Sequence, residues 1–146
     1  MKSIGIVIKG KKAILFALEK NLLSNYIILD DKFKSLEIDD HYNNSQIVEF
    51  KNTIESFINS ISPDRIGIIK RNEKGGFPKN DNVKDSFSTS PISFKIEGIL
   101  QLCNINIEFI APQTLNSYIK KNDLPFKVKY NYQIKSAELA FYLLNS

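Results

Sequence analysis

The sequence predicts an α/β domain built on a mixed five-stranded sheet with helices on both faces. Three observations predict it. Short β-branched runs separated by turn signals fill residues 3–38; later segments carry apolar residues at three- and four-residue spacing; and short runs such as Arg65 to Lys70 are apolar on both faces. Strands that alternate with helices in the second half imply right-handed crossovers and parallel pairing there.

Ser3 to Lys9 reads as the first strand, Gly10 with Lys11 and Lys12 as a turn, and Ala13 to Leu18 as the second strand of a hairpin. A third run, Tyr26 to Leu29, meets Asp30-Asp31, which marks either its end or a bulge before Phe33 to Ile38. Three antiparallel strands in succession follow. Asp39 to Ser45 is polar, and Ser45 is the expected N-cap of a helix over Gln46 to Ser60 whose stripe is Ile47, Phe50, Ile54, Phe57, Ile58 and Ile61. Pro63 stops it. Arg65 to Lys70 is the fourth strand, 71–90 a polar loop, and Pro91 to Cys103 a helix with Ile92, Ile96, Ile99, Leu100 and Cys103 on one side. Ile105 to Ile110 is the fifth strand. A short helix after Ala111-Pro112 ends before Asp123-Leu124-Pro125, and Tyr130 to Leu144 forms the last. The order β-β-β-α-β-α-β-α, with the small extra helix before the last, is that of the ribonuclease H-like fold, and residues 1–146 make one such domain.

The chain is 42% apolar, enough for a continuous core at this length, and its single cysteine, Cys103, and single histidine, His41, exclude a disulfide framework and a Cys/His zinc site. Any metal would be a hard cation on carboxylates. The run Ile4 to Ile8 is too short for a signal-peptide core or a membrane span, so a cytoplasmic protein without membrane association is expected. A formal charge of +4 admits nucleic acid or an acidic protein surface as a partner and selects neither.

The expected fold poses a chemical question. Two-metal phosphodiester cleavage needs several carboxylates converging on paired Mg²⁺ ions about 3.5 to 4 Å apart. In this fold they come from the first strand, the end of the fourth strand and the helices beside them. The corresponding positions here are the middle of Ile4 to Ile8, Lys70, Glu97 and Glu138.

Motifs along nearly the whole chain resemble a family of small uncharacterised bacterial proteins of the ribonuclease H-like superfamily, distantly related to RuvC Holliday-junction resolvases. The carrying residues are Gly5 with Gly10, Leu36-Glu37-Ile38-Asp39-Asp40, Lys74-Gly75-Gly76-Phe77, Ser93-Phe94-Lys95-Ile96-Glu97 with Gln101-Leu102, and Lys121-Asn122-Asp123-Leu124-Pro125. The resemblance implies a first-strand glutamate where this chain has Val7 and a fourth-strand carboxylate where it has Lys70. Glu97 and Glu138 remain. A lysine there repels a cation by about 4 kcal/mol at about 4 Å and an effective dielectric near 20. The expectation is a vestigial site, without metal, in which the Lys70 ammonium stands in the place of an ion and pairs with Glu97 and Glu138. The competing expectation is that both glutamates are ordinary solvated helix residues.

Lys9, Lys11, Lys12, Lys70, Arg71 and Lys74 are expected at one end of the sheet, with Lys79 beside Gly75-Gly76 as a further anion-binding candidate. His41 is expected at the surface, Cys103 in the core, and Tyr130, Tyr132, Phe141 and Tyr142 in packing more than in base stacking. The function expected first is a non-catalytic binding protein, possibly of the immunity or antitoxin type, with a protein partner. The alternatives are a Mg²⁺-dependent nuclease using Glu97, Glu138 and Asp39 or Asp40, and a nucleic-acid-binding module without cleavage. Asp64 and Asp85 are the other carboxylates considered for the vacant position.

Overall fold

The fold was analysed in a computed structural model, which describes residues 1–29, 35–71, 90–103 and 106–146. Its strands are β1 (Lys2–Lys9), β2 (Lys12–Lys20), β3 (Tyr26–Leu29), β4 (Ser35–Glu37), β5 (Arg65–Ile69) and β6 (Ile107–Ile110). The helices are α1 (Asn44–Ile61), α2 (Pro91–Gln101), α3 (Pro112–Lys121) and α4 (Ile134–Asn145), the last preceded by a 3₁₀ turn over Asn131–Gln133.

The sheet order is β3-β2-β1-β5-β6, with β4 also paired to β2. β1 and β2 form an antiparallel hairpin closed by Gly10, whose φ of 60° suits a residue without Cβ. β1, β5 and β6 run parallel, as the helical crossovers require. The third expected strand is present as two pieces. Leu29 pairs with Ala17 and Ser35 with Ile14 on the same partner strand, so β3 and β4 lie along one edge of β2. Asp30, Asp31 and Phe33 themselves lie outside the described residues.

Strand alternation sends Ile4, Ile6 and Ile8 of β1 to one face, where they join Ile66 and Ile68 of β5 and the apolar sides of α1 and α2. Gly5 and Val7 face the other way, under α4. A Cβ on Gly5 would lie 2.1 Å from the Ser136 carbonyl oxygen and 2.7 Å from the Ala140 amide nitrogen, so glycine is what lets α4 lie this close to the sheet. The Ser3 hydroxyl donates to the Ala140 carbonyl at 2.7 Å and fixes the same contact. Phe16, Leu18, Ala137, Phe141 and Leu144 fill the β2 side of this face.

Several boundaries differ from the sequence expectation. α1 is capped by Asn43, not Ser45: its side-chain oxygen accepts from the Ser45 and Gln46 amides. Three cap-competent residues in a row, Asn43-Asn44-Ser45, leave sequence unable to choose among them. β5 stops at Ile69, one residue before Lys70, and α2 ends at Gln101. Among the described residues no helix is long and apolar enough to cross a membrane.

Candidate functional site

The parallel strands β1 and β5 end on the same edge, and the site expected from sequence lies there. Ile6 is paired with Ile68, so the hairpin turn Lys9-Gly10-Lys11-Lys12 stands next to Lys70. Lys9, Lys12 and Lys70 are all exposed. The Lys70 amide donates to the Ile110 carbonyl at 2.8 Å, which extends the ladder with β6 by one bond and carries the side chain out of the core. Lys11 is committed elsewhere, to Asp39 at 2.9 Å, and that partner raises its pKa. Lys74, Lys79 and Asp85 lie outside the described residues.

Arg71 behaves differently from its lysine neighbours. Its side chain is 1% exposed, and the guanidinium forms an ion pair with Glu97 while also donating to the Ser93 carbonyl at 3.2 Å. The same group lies 4.6 Å over the Phe94 ring. One turn of α2 thus supplies a carbonyl, a π-face and a carboxylate to one cation, a combination that suits a planar guanidinium better than an ammonium. The helix that does so is set by Ser90, which caps it by accepting from the Ser93 amide, and by Pro91 at its first position.

The expected pairing of Lys70 with Glu97 and Glu138 is therefore corrected. Arg71, one residue further on, neutralises Glu97, while the Lys70 side chain is exposed. The physical reason is strand length. β5 ends at Ile69, so Lys70 leaves the sheet on the solvent side and Arg71 is the first basic residue free to turn back over α2.

Glu138 is 6% exposed and pairs with Lys135 at 3.4 Å, and Lys135 donates to Asn116 on α3 at 3.0 Å. On α4 the residues facing β1 and β5 are Ser136, Ala140 and Leu143; Glu138 is about 200° around the helix from Ser136 and turns away from the sheet. The two glutamates thus sit on helices packed against opposite faces of the sheet, each with its own cation. Neither an exposed helix residue nor a shared site describes Glu138.

The position at which the resemblance implies a first-strand carboxylate is held by apolar side chains. Val7 is 5% exposed and belongs to a cluster with Ile69 of β5, Leu115 of α3, and Leu139 and Leu143 of α4. Mg²⁺ needs a near-octahedral set of oxygen donors. Val7 and its cluster neighbours offer none, and among the described residues no three of His, Cys, Asp and Glu converge on a point that could hold a metal ion. These residues do not fit the ion. The described carboxylates among the others considered are engaged elsewhere: Asp39 pairs with Lys11, Asp40 accepts from the Tyr42 amide, and Asp64 accepts from the Lys2 amide at the opposite end of the sheet.

The remaining candidates make the following contacts. Cys103 is buried, donates to the Ile99 carbonyl, and has its thiol pKa pushed up by desolvation, which makes it a poor nucleophile. Phe141 packs among Phe16, Tyr26 and Phe126, and Tyr142 meets the Tyr118 ring edge-on. Tyr130 and Tyr132 stack on each other at 5.6 Å. His41 is half-buried against Tyr42, with Lys95 donating to its carbonyl.

This strand order, with helices on both faces, defines a ribonuclease H-like fold of the kind found in Holliday-junction resolvases. The structure is similar to Thermus thermophilus RuvC in complex with a Holliday junction substrate, with a TM-score of 0.67 at 8% identity over 96% of this chain and 90% of that one. A second Thermus thermophilus RuvC structure gives 0.63 at 8% identity, covering 96% and 91%. At these identities the likeness is one of fold. The chain belongs to the family described as protein of unknown function (DUF3010), whose model matches residues 1–143. No match was found among the curated proteins.

Proposed function

We propose that the protein is a non-catalytic binding protein on a degenerate ribonuclease H-like scaffold, of the immunity or antitoxin type, acting on a partner protein without a metal cofactor. One observation supports this reading: the place where the resemblance implies a first-strand carboxylate belongs to the buried apolar cluster of Val7, Ile69, Leu115, Leu139 and Leu143. Placing a divalent ion there would mean desolvating it among side chains with no oxygen to offer. The Arg71 to Glu97 pair supports the same reading, because it satisfies a surviving carboxylate from within the chain.

Lys9, Lys12 and Lys70 supply a binding edge of positive charge at the end of the sheet, suited to an acidic protein surface. The same edge favours a second reading, nucleic-acid binding without cleavage, since phosphate contacts need only exposed cations.

The test has two arms. Branched and linear DNA incubated with Mg²⁺ or Mn²⁺ should remain uncut, and the reading fails if cleavage appears and is abolished by Glu97→Ala. Binding to a protein encoded next door should be saturable and weakened by a Lys9→Glu/Lys70→Glu double variant. Nucleic-acid affinity that falls steeply with salt, with no such protein bound, would transfer the conclusion to the second reading.

A further inference from the structure

We infer that the segment joining α3 to α4, residues 122–133, is a binding surface for single-stranded nucleic acid, its lysines taking phosphates and its stacked tyrosines taking a base. It uses residues other than the Lys9, Lys12 and Lys70 edge and leaves that edge to the partner proposed above. Charge points to it first. Residues 120–135 hold five lysines, Lys120, Lys121, Lys127, Lys129 and Lys135, against one carboxylate, Asp123, a net +4 equal to that of the whole chain. The charges of all other residues cancel, so the chain's basic character is concentrated on this stretch.

Packing turns that charge outward. Leu124, Phe126 and Val128 pack against the cluster of Phe16, Leu18 and Phe141, while Lys127 and Lys129, which alternate with them, are exposed. Lys120 and Lys121 have a local use at the negative end of the α3 dipole. Lys127 and Lys129 stand on irregular chain, and among the described residues no carboxylate forms an ion pair with either.

The aromatic pair decides between an acidic protein and a nucleic acid. Tyr130 and Tyr132 stack with ring centroids 5.6 Å apart and planes 27° from parallel, Lys129 lies 5.4 Å over the Tyr130 ring, and Tyr132 remains 46% exposed. The 3₁₀ turn beneath them is anchored. The Gln133 amide donates to the Tyr130 carbonyl at 3.0 Å, and the buried Gln133 side chain donates to the Leu15 carbonyl of β2 at 3.5 Å. A half-exposed ring held against a second ring, next to a cation, is a platform that a base extends by stacking. A protein carboxylate would use the lysines alone. Unpaired bases offer free faces, whereas the bases of a duplex stack on each other, so the ligand is single-stranded.

Fluorescence anisotropy of labelled oligo(dT) and oligo(U) titrated with the full chain, at low and at physiological salt, tests this. Saturable binding of at least one oligomer is expected, the tighter of the two identifying DNA or RNA, and it should weaken as salt rises. Lys127→Gln/Lys129→Gln should weaken it at least about tenfold and Tyr132→Ala at least about fivefold, with Tyr132→Phe binding like the wild type and the far-UV circular dichroism spectrum unchanged throughout. Lys9→Glu/Lys70→Glu should lose less affinity than either. The inference is overturned if neither oligomer binds, if duplex DNA binds as tightly as the better oligomer, or if Tyr132→Ala is silent or matched by Tyr132→Phe. It is equally overturned if Lys9→Glu/Lys70→Glu loses as much affinity as Lys127→Gln/Lys129→Gln, or if the chain binds only phosphatidylserine vesicles, which report charge without stacking.

Discussion

A guanidinium as fully buried as that of Arg71 depends on its carboxylate, and Glu97→Gln removes that charge while keeping the shape. Breaking a buried pair on one side costs about 3–5 kcal/mol; with Glu97 one-fifth exposed, about 2–3 kcal/mol is expected, read as a lower urea midpoint with unchanged slope. A vestigial metal ligand would behave in the opposite way, since removing a carboxylate from an unfilled cluster relieves repulsion. The pair of Arg65 and Glu108 gives a pH signature. Its hydrogen bonds hold the Glu108 carboxyl below its ordinary value, so the stabilisation is present above the unfolded carboxylate range near pH 4.5 and is lost as pH falls through the lower folded value. Glu108→Gln should therefore cost about 0.5–1 kcal/mol at pH 7, a modest amount because both side chains are partly exposed, and the difference from wild type should vanish once pH falls below the lowered folded value. At this scale the sequence was only partly legible. Glu97 and Glu138 stood out as helix carboxylates, but the partner of Glu97 lies 26 residues away, and no local pattern announces a contact of that span. The partner of Glu138, three residues back at Lys135, sits at a helix-pair spacing that the sequence reading passed over in favour of Lys70.

Among the elements, α4 and β1 hold the molecule together, and their contact is set by the absence of a side chain. Gly5→Ala drives a methyl group into the backbone of α4 and should destabilise by about 3 kcal/mol or more, with unfolding followed thermally or by urea. Gly67→Ala meets only the end of the Leu143 side chain at 3.0 Å, which can rotate, so about 1 kcal/mol is expected. Leu139→Ala empties part of the cluster around Val7 and should cost about 2–5 kcal/mol. If the region around Val7 were instead a hydrated polar site, the same truncation would be nearly silent. Helices and strands were legible because their periodicities are local. Pro63, Pro91 and Pro112 punctuate them, and the stripe of α1 matches its buried residues Phe50, Ile54, Phe57, Ile58 and Ile61. The presence of two strands, β3 and β4, on one partner was legible only as the ambiguity at Asp30-Asp31, because whether a turn signal ends a strand depends on the partner strand, and β2 pairs with both.

Across the whole molecule, the fold is ribonuclease H-like and the region around Val7 is apolar core, which the proposed function reads as the replacement of a polar site. The parallel arrangement of β1, β5 and β6 and the antiparallel hairpin follow from crossover handedness and loop length, both legible in element order. What element order could not show is which way each side chain turns at the strand ends, where Lys70 faces water and Arg71 faces α2. Titration calorimetry with Mn²⁺ is the most direct test of that reading. No saturable heat up to millimolar Mn²⁺ is expected, in the wild type and in Glu97→Ala alike. Stoichiometric binding in the wild type that disappears in Glu97→Ala would mean that a metal centre survives in this fold.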